Sequence, residues 1–426
     1  MPNKNINILI NLNLTQENIS VNEIINAVTN SLKIATTDII GDIINSIQQN
    51  ILDNYLGTRW NEFANKMVPW KCPHCDERCE FVRRGKRRRK IHSSSGVIEF
   101  YLYRVTCKAC NSTFCPFTQI LGIEPRVRIT KEFDEKILKL ASQNSYATSA
   151  RTIDLLLNEK VSATTVRNKV NTIASLLDIS ATQEKYENIL IDGTKVNASN
   201  NERGIDIHLA LAPIGTELRN GRLYNKKQLV ALSVADNTQR LEKQLKKTNC
   251  SNVISDGDVQ YGKLLENIYP TAKQKRCLWH LPHTLKHLLY LENMPVEDRK
   301  VLASYLANIL KEKDFMKAQH LYIDLMYWFK NMKMSKIYNY LYNAYTKVFV
   351  SSECWCDAKS IIVTSLIERE MREINRRIDV GCRWSQIGVE NLLKIKLMDK
   401  YSHHDWEKYF PPILKDKLNI KVTLCN

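Results

Sequence analysis

The chain has 426 residues with 62 Lys+Arg against 45 Asp+Glu, a formal net charge of +17, and such a length exceeds one ordinary hydrophobic core, so roughly two to four domains are expected. Hydrophobic residues make up 44% and charged ones 25%, which excludes wholesale disorder and low complexity, while the basic surplus points to a polyanion, either nucleic acid or an acidic membrane surface. No apolar run approaches the roughly 18 residues that span a bilayer, and the stretch 6–14 lacks a basic leader, so a cytoplasmic protein is expected, with thiols reduced and paired cysteines serving as metal ligands.

The first sixty residues are net acidic and the next ninety strongly basic, which suggests a boundary near Trp60. In the first part Val21, Ile24, Ile25, Val28 and Leu32 recur at helical spacing, as do Ile39, Ile43, Ile44 and Ile47. The two stripes suit helices that cap the fold or meet another subunit.

From Lys71 to Pro116 the pattern turns to short strands, cysteines and basic residues. Cys72 and Cys75 form one Cys-x-x-Cys pair, Cys107 and Cys110 another. Four such thiolates suit a tetrahedral Zn2+, with the intervening chain as a β-ribbon. Cys79 and Cys115 are spare, and His74 is a weaker substitute ligand. Between the pairs, Arg83, Arg84, Lys86, Arg87, Arg88, Arg89 and Lys90 make seven of eight residues basic. On a ribbon tip they would neutralise phosphates.

Residues 133–144, 148–157 and 163–176 read as three helices, the third capped by Ser162. Val166, Val170 and Ile173 form its inward face. Thr164, Thr165, Arg167, Asn168 and Lys169 remain for an outer face of the kind that reads a DNA major groove, as in a helix-turn-helix.

A new rhythm begins at Glu187. Strands are expected over 189–191, 205–211 and 229–234, a helix over 238–247, a strand over 253–254, a helix over 260–268 and a strand over 274–278. That is the order of a mixed-sheet α/β domain. A long helical stretch follows His280 to about Val350, and a helix resumes over 359–377.

Asp192 follows the strand 189–191 and precedes Gly193; Asp256 follows Val253-Ile254-Ser255 and precedes Gly257. Two neighbouring strand-end carboxylates can converge on divalent cations that serve phosphoryl transfer, although strand-Asp-Gly is also an ordinary turn signal. A third acidic residue is required, and periodicity leaves Glu368, Glu370 and Glu373 open.

Four features together resemble the DDE-type transposases of prokaryotic insertion sequences, in the Mutator-like superfamily. They are Asp192-Gly193-Thr194; Ser255-Asp256-Gly257; Arg276-Cys277-Leu278-Trp279-His280, similar to that group's Cys-x-x-His signature; and Ile367-Glu368-Arg369 with Arg372-Glu373-Ile374 and Arg376-Arg377. The resemblance spans 187–397 and includes a closing segment with Trp384-Ser385, Gly388 and Asn391-Leu392-Leu393. Ser365 departs from it, standing where the family often has an asparagine. The resemblance selects Glu368 as the third catalytic residue. It implies a DNA transposase that nicks transposon ends and transfers the strand into target DNA, with Asp192, Asp256 and Glu368 holding Mg2+ or Mn2+, acting as a homo-oligomer on DNA. Cys277 and His280 are expected to form a structural pair on the fifth strand, with Trp279 buried; His283 and His287 offer a further zinc alternative.

The expected architecture is multidomain α/β. A helical segment 1–60 precedes a zinc ribbon over 61–130 and a helix-turn-helix over 131–180. An RNase H-like mixed-sheet catalytic core follows over 181–400, with a long α-helical insertion at about 283–355, and then a tail over 401–426. Two other functions share these features: a non-catalytic, domesticated DNA-binding regulator, and an RNase H-like metal-dependent nuclease.

Overall fold

The computed structural model describes residues 20–57, 66–123, 126–157, 159–179, 185–199, 204–235, 238–350, 365–378 and 383–411. The boundary expected near Trp60 falls outside them, as does the part of the helix expected over 359–364 and the last fifteen residues of the tail. The chain forms two compact units, one of residues 1–137 and 150–162, the other of 138–149 and 163–426.

In the first unit both N-terminal apolar stripes belong to one 36-residue helix, α1 (Val21–Leu56), opened by a capping box between Ser20 and Glu23. No glycine or proline between Leu32 and Ile39 interrupts it. Its C-terminal half lies on a hairpin of β1 (Phe81–Ser93) and β2 (Gly96–Cys107), with β3 (Thr113–Phe114) beside β2. The approach is close: a Cβ on Gly41 would collide with the Glu99 carbonyl oxygen. Buried Gln48 donates Nε2–H to the Tyr101 carbonyl at 2.7 Å. Leu52, Trp70, Phe81, Phe100, Leu102 and Phe117 form the core, Phe117 opening the short helix α2 (Phe117–Ile120). The N-terminal half of α1 is uncovered, with Val21, Ile24, Ile25 and Leu32 exposed.

Three helices follow close to the expected bounds: α3 (Lys131–Gln143), α4 (Tyr146–Leu156) and α5 (Ala163–Ala174). The first two are shared between the units. Val166, Val170 and Ile173 of α5 are buried, as their spacing predicts, and Thr164, Arg167 and Asn168 are exposed.

The second unit is built on β4 (Lys185–Val196), β5 (Ile205–Arg219), β6 (Arg222–Val234), β7 (Asn249–Ser255) and β8 (Lys273–Arg276), with α6 (Gln239–Leu245) and α7 (Val259–Ile268) between the later strands. The sheet order is β6-β5-β4-β7-β8. β6, β5 and β4 pair antiparallel, and β4, β7 and β8 parallel. The succession of elements is the one the hydrophobic pattern predicts, with the first four strands longer and the fifth shorter than expected. Ile189, Ile191, Ala210, Val230, Val253 and Leu265 are among its core residues.

Four helices then form their own core around Leu281, Tyr322, Phe329 and Leu341: α8 (His280–Leu291), α9 (Val296–Ile309), α10 (Phe315–Asn331) and α11 (Ser335–Val348). Next come α12 (Ser365–Ile378), α13 (Gln386–Tyr401) and α14 (His403–Tyr409). α13 packs on α5 and β6, burying Val389, Leu392, Leu393 and Leu397. Trp406 of α14 is buried. No helix among the described residues is long and apolar enough to cross a membrane.

Candidate functional site

Among the described residues, two side-chain clusters can hold a metal ion. In the first unit, Cys72, Cys75, Cys107 and Cys110 bring their sulfurs within 4.8 Å of one another. Cys72 and Cys110 are 3.6 Å apart, Cys75 and Cys107 3.7 Å. Four thiolates about 2.3 Å from a tetrahedral Zn2+ lie about 3.8 Å from each other, so the donor set fits that ion. The Ser112 hydroxyl and the backbone N–H groups of His74 and Cys75 stabilise the Cys72 thiolate against burial and bring its pKa down to about 6. His74 is not in the cluster, and Cys79 and Cys115 stand outside it, half-buried.

The basic run departs from its expected position. Residues 83–90 lie along β1, not at the ribbon tip, which is formed by the turn between Ser93 and Gly96. The hairpin register pairs Arg87 with Leu102 and Arg89 with Phe100, so these long side chains extend from a paired strand. Part of the charge is answered internally: Arg88 and Lys90 pair with Glu99, and Arg83 with Asp53.

The second cluster comprises Asp192, His280 and Glu368. Asp192 does not end its strand. β4 continues to Val196 because it stays paired with β5, whereas its pairing with β7 stops at Ile191–Ser255. Asp192 therefore stands where the parallel neighbour runs out, with Asp256 one residue beyond that pair. Asp192 is 4% exposed, and its Oδ1 accepts the Gly193 N–H at 2.9 Å. Burial, with the like charges of Asp256 and Glu368, pushes its carboxyl up to about 7. Asp256 lies outside the 4.8 Å group; its Oδ1 accepts the Asp258 N–H at 2.9 Å.

The open choice along α12 is divided by packing. Glu368 faces His280 Nε2 at 3.7 Å and accepts from Arg372 Nε at 3.2 Å. Glu370 is fully buried, taking Lys400 Nζ at 2.9 Å and the Tyr401 hydroxyl. Glu373 also takes Lys400, at 2.6 Å. The two neighbours are thus committed to α13. Burial holds the adjacent Lys227 ammonium down to about 8, and Glu370 works against it.

The Cys-x-x-His pair corrects its expectation. Neither residue lies on the fifth strand: β8 ends at Arg276, Cys277 follows it and His280 opens α8. Cys277 Sγ lies 3.0 Å from His280 Nδ1, which turns Nε2 toward Glu368. Burial lowers the His280 pKa and favours the neutral imidazole. The donor set of this cluster is thus two carboxylates and a ring nitrogen, not oxygen alone. Trp279 is 43% exposed rather than buried, stacked on His283 at 5.4 Å. His287 stacks on Tyr290.

Both glycines after the aspartates are needed for close contact. A Cβ on Gly193 would meet the Tyr261 hydroxyl at 2.7 Å, and that hydroxyl is bonded to His208. One on Gly257, whose φ is +79°, would overlap the Arg276 guanidinium. Arg276 is anchored by Tyr340, to whose hydroxyl it donates at 3.0 Å. Thr194 completes the Asp-Gly-Thr run by donating to Asn375 of α12 at 3.1 Å. Sequence reading named Arg276 only as the start of the Cys-x-x-His segment and missed Tyr261, although the two Asp-Gly dipeptides mark where a large side chain passes over the backbone.

Residues 19–408 match the model of the family described as Transposase, Mutator family. The chain belongs to that family, which supports a transposase role and implies binding to DNA. No curated protein matches it.

Proposed function

We propose that this member of the Mutator family cuts transposon ends and transfers them into target DNA at a site built on Asp192, Asp256 and Glu368. The reading rests on one observation above all: Asp192 and Glu368, 176 residues apart, meet with His280 in a group within 4.8 Å, beside Asp256. The sheet order, three antiparallel strands followed by two parallel ones, supports an RNase H-like core. The cysteine cluster is read as a structural zinc ribbon, and α3 to α5 as a helix-turn-helix. In this reading the outer face of α5, with Thr164, Thr165, Arg167, Asn168 and Lys169, meets a groove. The basic face of β1 meets phosphates.

The acidic donor set fits a divalent cation. A buried carboxyl raised to about 7 by burial and two like charges is the situation that a cation relieves. Mg2+ and Mn2+ both suit the carboxylates, which are the majority of the donors. Once bound, the cation would polarise the scissile phosphate and stabilise the leaving oxygen.

The chain's own residues do the positioning. The Gly193 N–H fixes Asp192, while Arg372 holds Glu368 so that it faces His280 Nε2. Arg276, over Gly257, brings fixed positive charge to the end of β7. In the first reaction a water oxygen bonds to phosphorus and the bond from phosphorus to the 3′ oxygen breaks, leaving a 3′ hydroxyl. In the second, that hydroxyl bonds to a target phosphorus and one target phosphodiester bond breaks. Each exchanges one oxygen on phosphorus for another, so one set of positioned groups serves both.

The test is a strand-joining assay with labelled transposon ends and Mg2+ or Mn2+. Wild type is expected to give joined products. Asp192→Asn is expected to bind the ends normally and give none. Full joining by the purified variant would refute the site assignment; cleavage alone by wild type would indicate a nuclease, and binding alone a regulator.

A further inference from the structure

The second unit carries a cavity of about 450 Å³ that the reading above does not use, within the range of pockets that take small ligands. Tyr146, Arg167, Arg377, Arg383, Trp384 and Ser385 line it, and none of its lining residues among those described is acidic. Trp384 is held by its backbone and its indole N–H and is half-buried. Its backbone N–H donates to the Asn197 carbonyl at 3.2 Å, and its carbonyl accepts from Ser199 at 3.0 Å. Its indole N–H donates to the Ile378 carbonyl at 2.8 Å. The Arg377 guanidinium lies 5.4 Å from the Trp384 ring and 5.6 Å from the Tyr146 ring, with Nε donating to the Ala141 carbonyl at 3.1 Å. Arg167 and Arg383 are exposed. The wall is therefore aromatic and rigid, and its charge is entirely positive. Ser385 caps the N-terminus of α13, adding that helix's positive end to the same field.

We propose that this pocket holds a single unstacked nucleotide of the DNA, its base against Trp384 and its phosphate between Arg167 and Arg383. An anion alone would need no aromatic wall, and a cation would find no carboxylate. A planar aromatic group carrying a negative charge satisfies both, and every base has a face on which an aromatic ring can stack. Arg167 lies on the helix read as entering a groove. Arg377 follows Glu368 on α12 by nine residues, about 14 Å at 1.5 Å per residue. The proposal rests on DNA being the substrate but not on the carboxylates being catalytic.

The test uses the full chain in EDTA, so that no chemistry intervenes. Fluorescence anisotropy compares a blunt 20-base-pair duplex with the same duplex bearing a four-thymidine single-stranded tail, and with the tail made abasic. Stacking of one base is worth about 1–3 kcal/mol, roughly a 5- to 150-fold preference for the thymidine tail. Wild type is expected to show it and to lose it with the abasic tail. Arg383→Gln, at an exposed position, and Trp384→Ala are expected to abolish most of the preference while blunt-duplex affinity changes less than about twofold. Trp384→Phe should keep most of it. If Trp384→Ala fails to fold, Trp384→Phe and Arg383→Gln decide. Equal affinity of wild type for blunt and tailed duplexes would overturn the proposal. So would retention of the preference by the abasic tail, or an equal loss on both duplexes in Arg383→Gln, since either would reduce the pocket to a backbone phosphate contact. Asp192→Asn must show the wild-type preference. If that variant still joins strands, the catalytic assignment fails and the pocket stands.

Discussion

The two candidate metal centres are built on opposite principles. The four cysteines come from the two ends of one hairpin, close in sequence and matched in type, and two of them are exposed. The acidic centre draws on β4, the end of β7, the start of α8 and α12, residues 192 to 368, and it buries like charges against one another. In the first, read as a structural zinc site, folding and metal binding would amount to the same event. In the second, the fold holds the groups together before any cation arrives, at a cost that the raised pKa of Asp192 registers. The proposed structural and catalytic roles call for such a difference, and it can be attacked from both sides.

The largest effect is expected at the cysteines. Zn2+ binding is worth roughly 10–16 kcal/mol in zinc-finger peptides, as much as the whole net stability of an ordinary domain. Cys107→Ser, or prolonged chelation, should therefore abolish amide protection over 81–107 in hydrogen exchange and leave 185–255 protected. Retained protection of the hairpin would make the cluster dispensable to the fold.

The opposite sign is expected at Asp192. Its folded-state pKa of about 7 exceeds the ordinary 3.8, so ionisation opposes folding of the metal-free protein at every pH above the lower value. Asp192→Asn should stabilise that form by a few kcal/mol, at about 1.4 kcal/mol for each tenfold change in proton affinity. The gain should be absent below about pH 4, grow up to about pH 7 and stay level above it. A variant less stable than wild type at pH 8 without metal would contradict the picture of stored repulsion.

Within α12, Glu370→Gln should weaken a buried contact to Lys400 and Tyr401 and lower stability in urea by about 1–3 kcal/mol. Glu368→Gln should change metal-free stability by much less, since it relieves repulsion as it loses Arg372. The smallest effects concern the basic strand. Glu99→Gln frees Arg88 and Lys90 and should tighten DNA binding severalfold. Arg84→Gln should make the salt slope of log K shallower by about 0.9, the share of one neutralised phosphate. An unchanged slope would remove Arg84 from the DNA interface.

The same contrast explains what was legible beforehand. Two Cys-x-x-Cys pairs announce their own geometry, because a thiolate knuckle is a local object. The strand and helix order of the second unit could be read because its core strands, such as 189–191 and 229–234, are continuous apolar runs. Glu368, by contrast, could not be separated from Glu370 and Glu373 by periodicity; Lys400 and Tyr401, some thirty residues away, make that separation. The place of His280 in the acidic cluster is hidden for a related reason, since it comes from Glu368 on a distant helix and not from Cys277 beside it. The basic run is misplaced at a tip because a seven-charge segment reads as a loop, while its pairing partners in β2 make it a strand.

The assignment of Glu368 over its helix neighbours is tested most directly by Mn2+ binding to the metal-free protein, measured alongside strand joining for Glu368→Gln and Glu370→Gln. Glu368→Gln is expected to lose both Mn2+ affinity and joined products, and Glu370→Gln, at a temperature where it is folded, to keep both. Retained joining in Glu368→Gln with loss in folded Glu370→Gln would contradict the assignment.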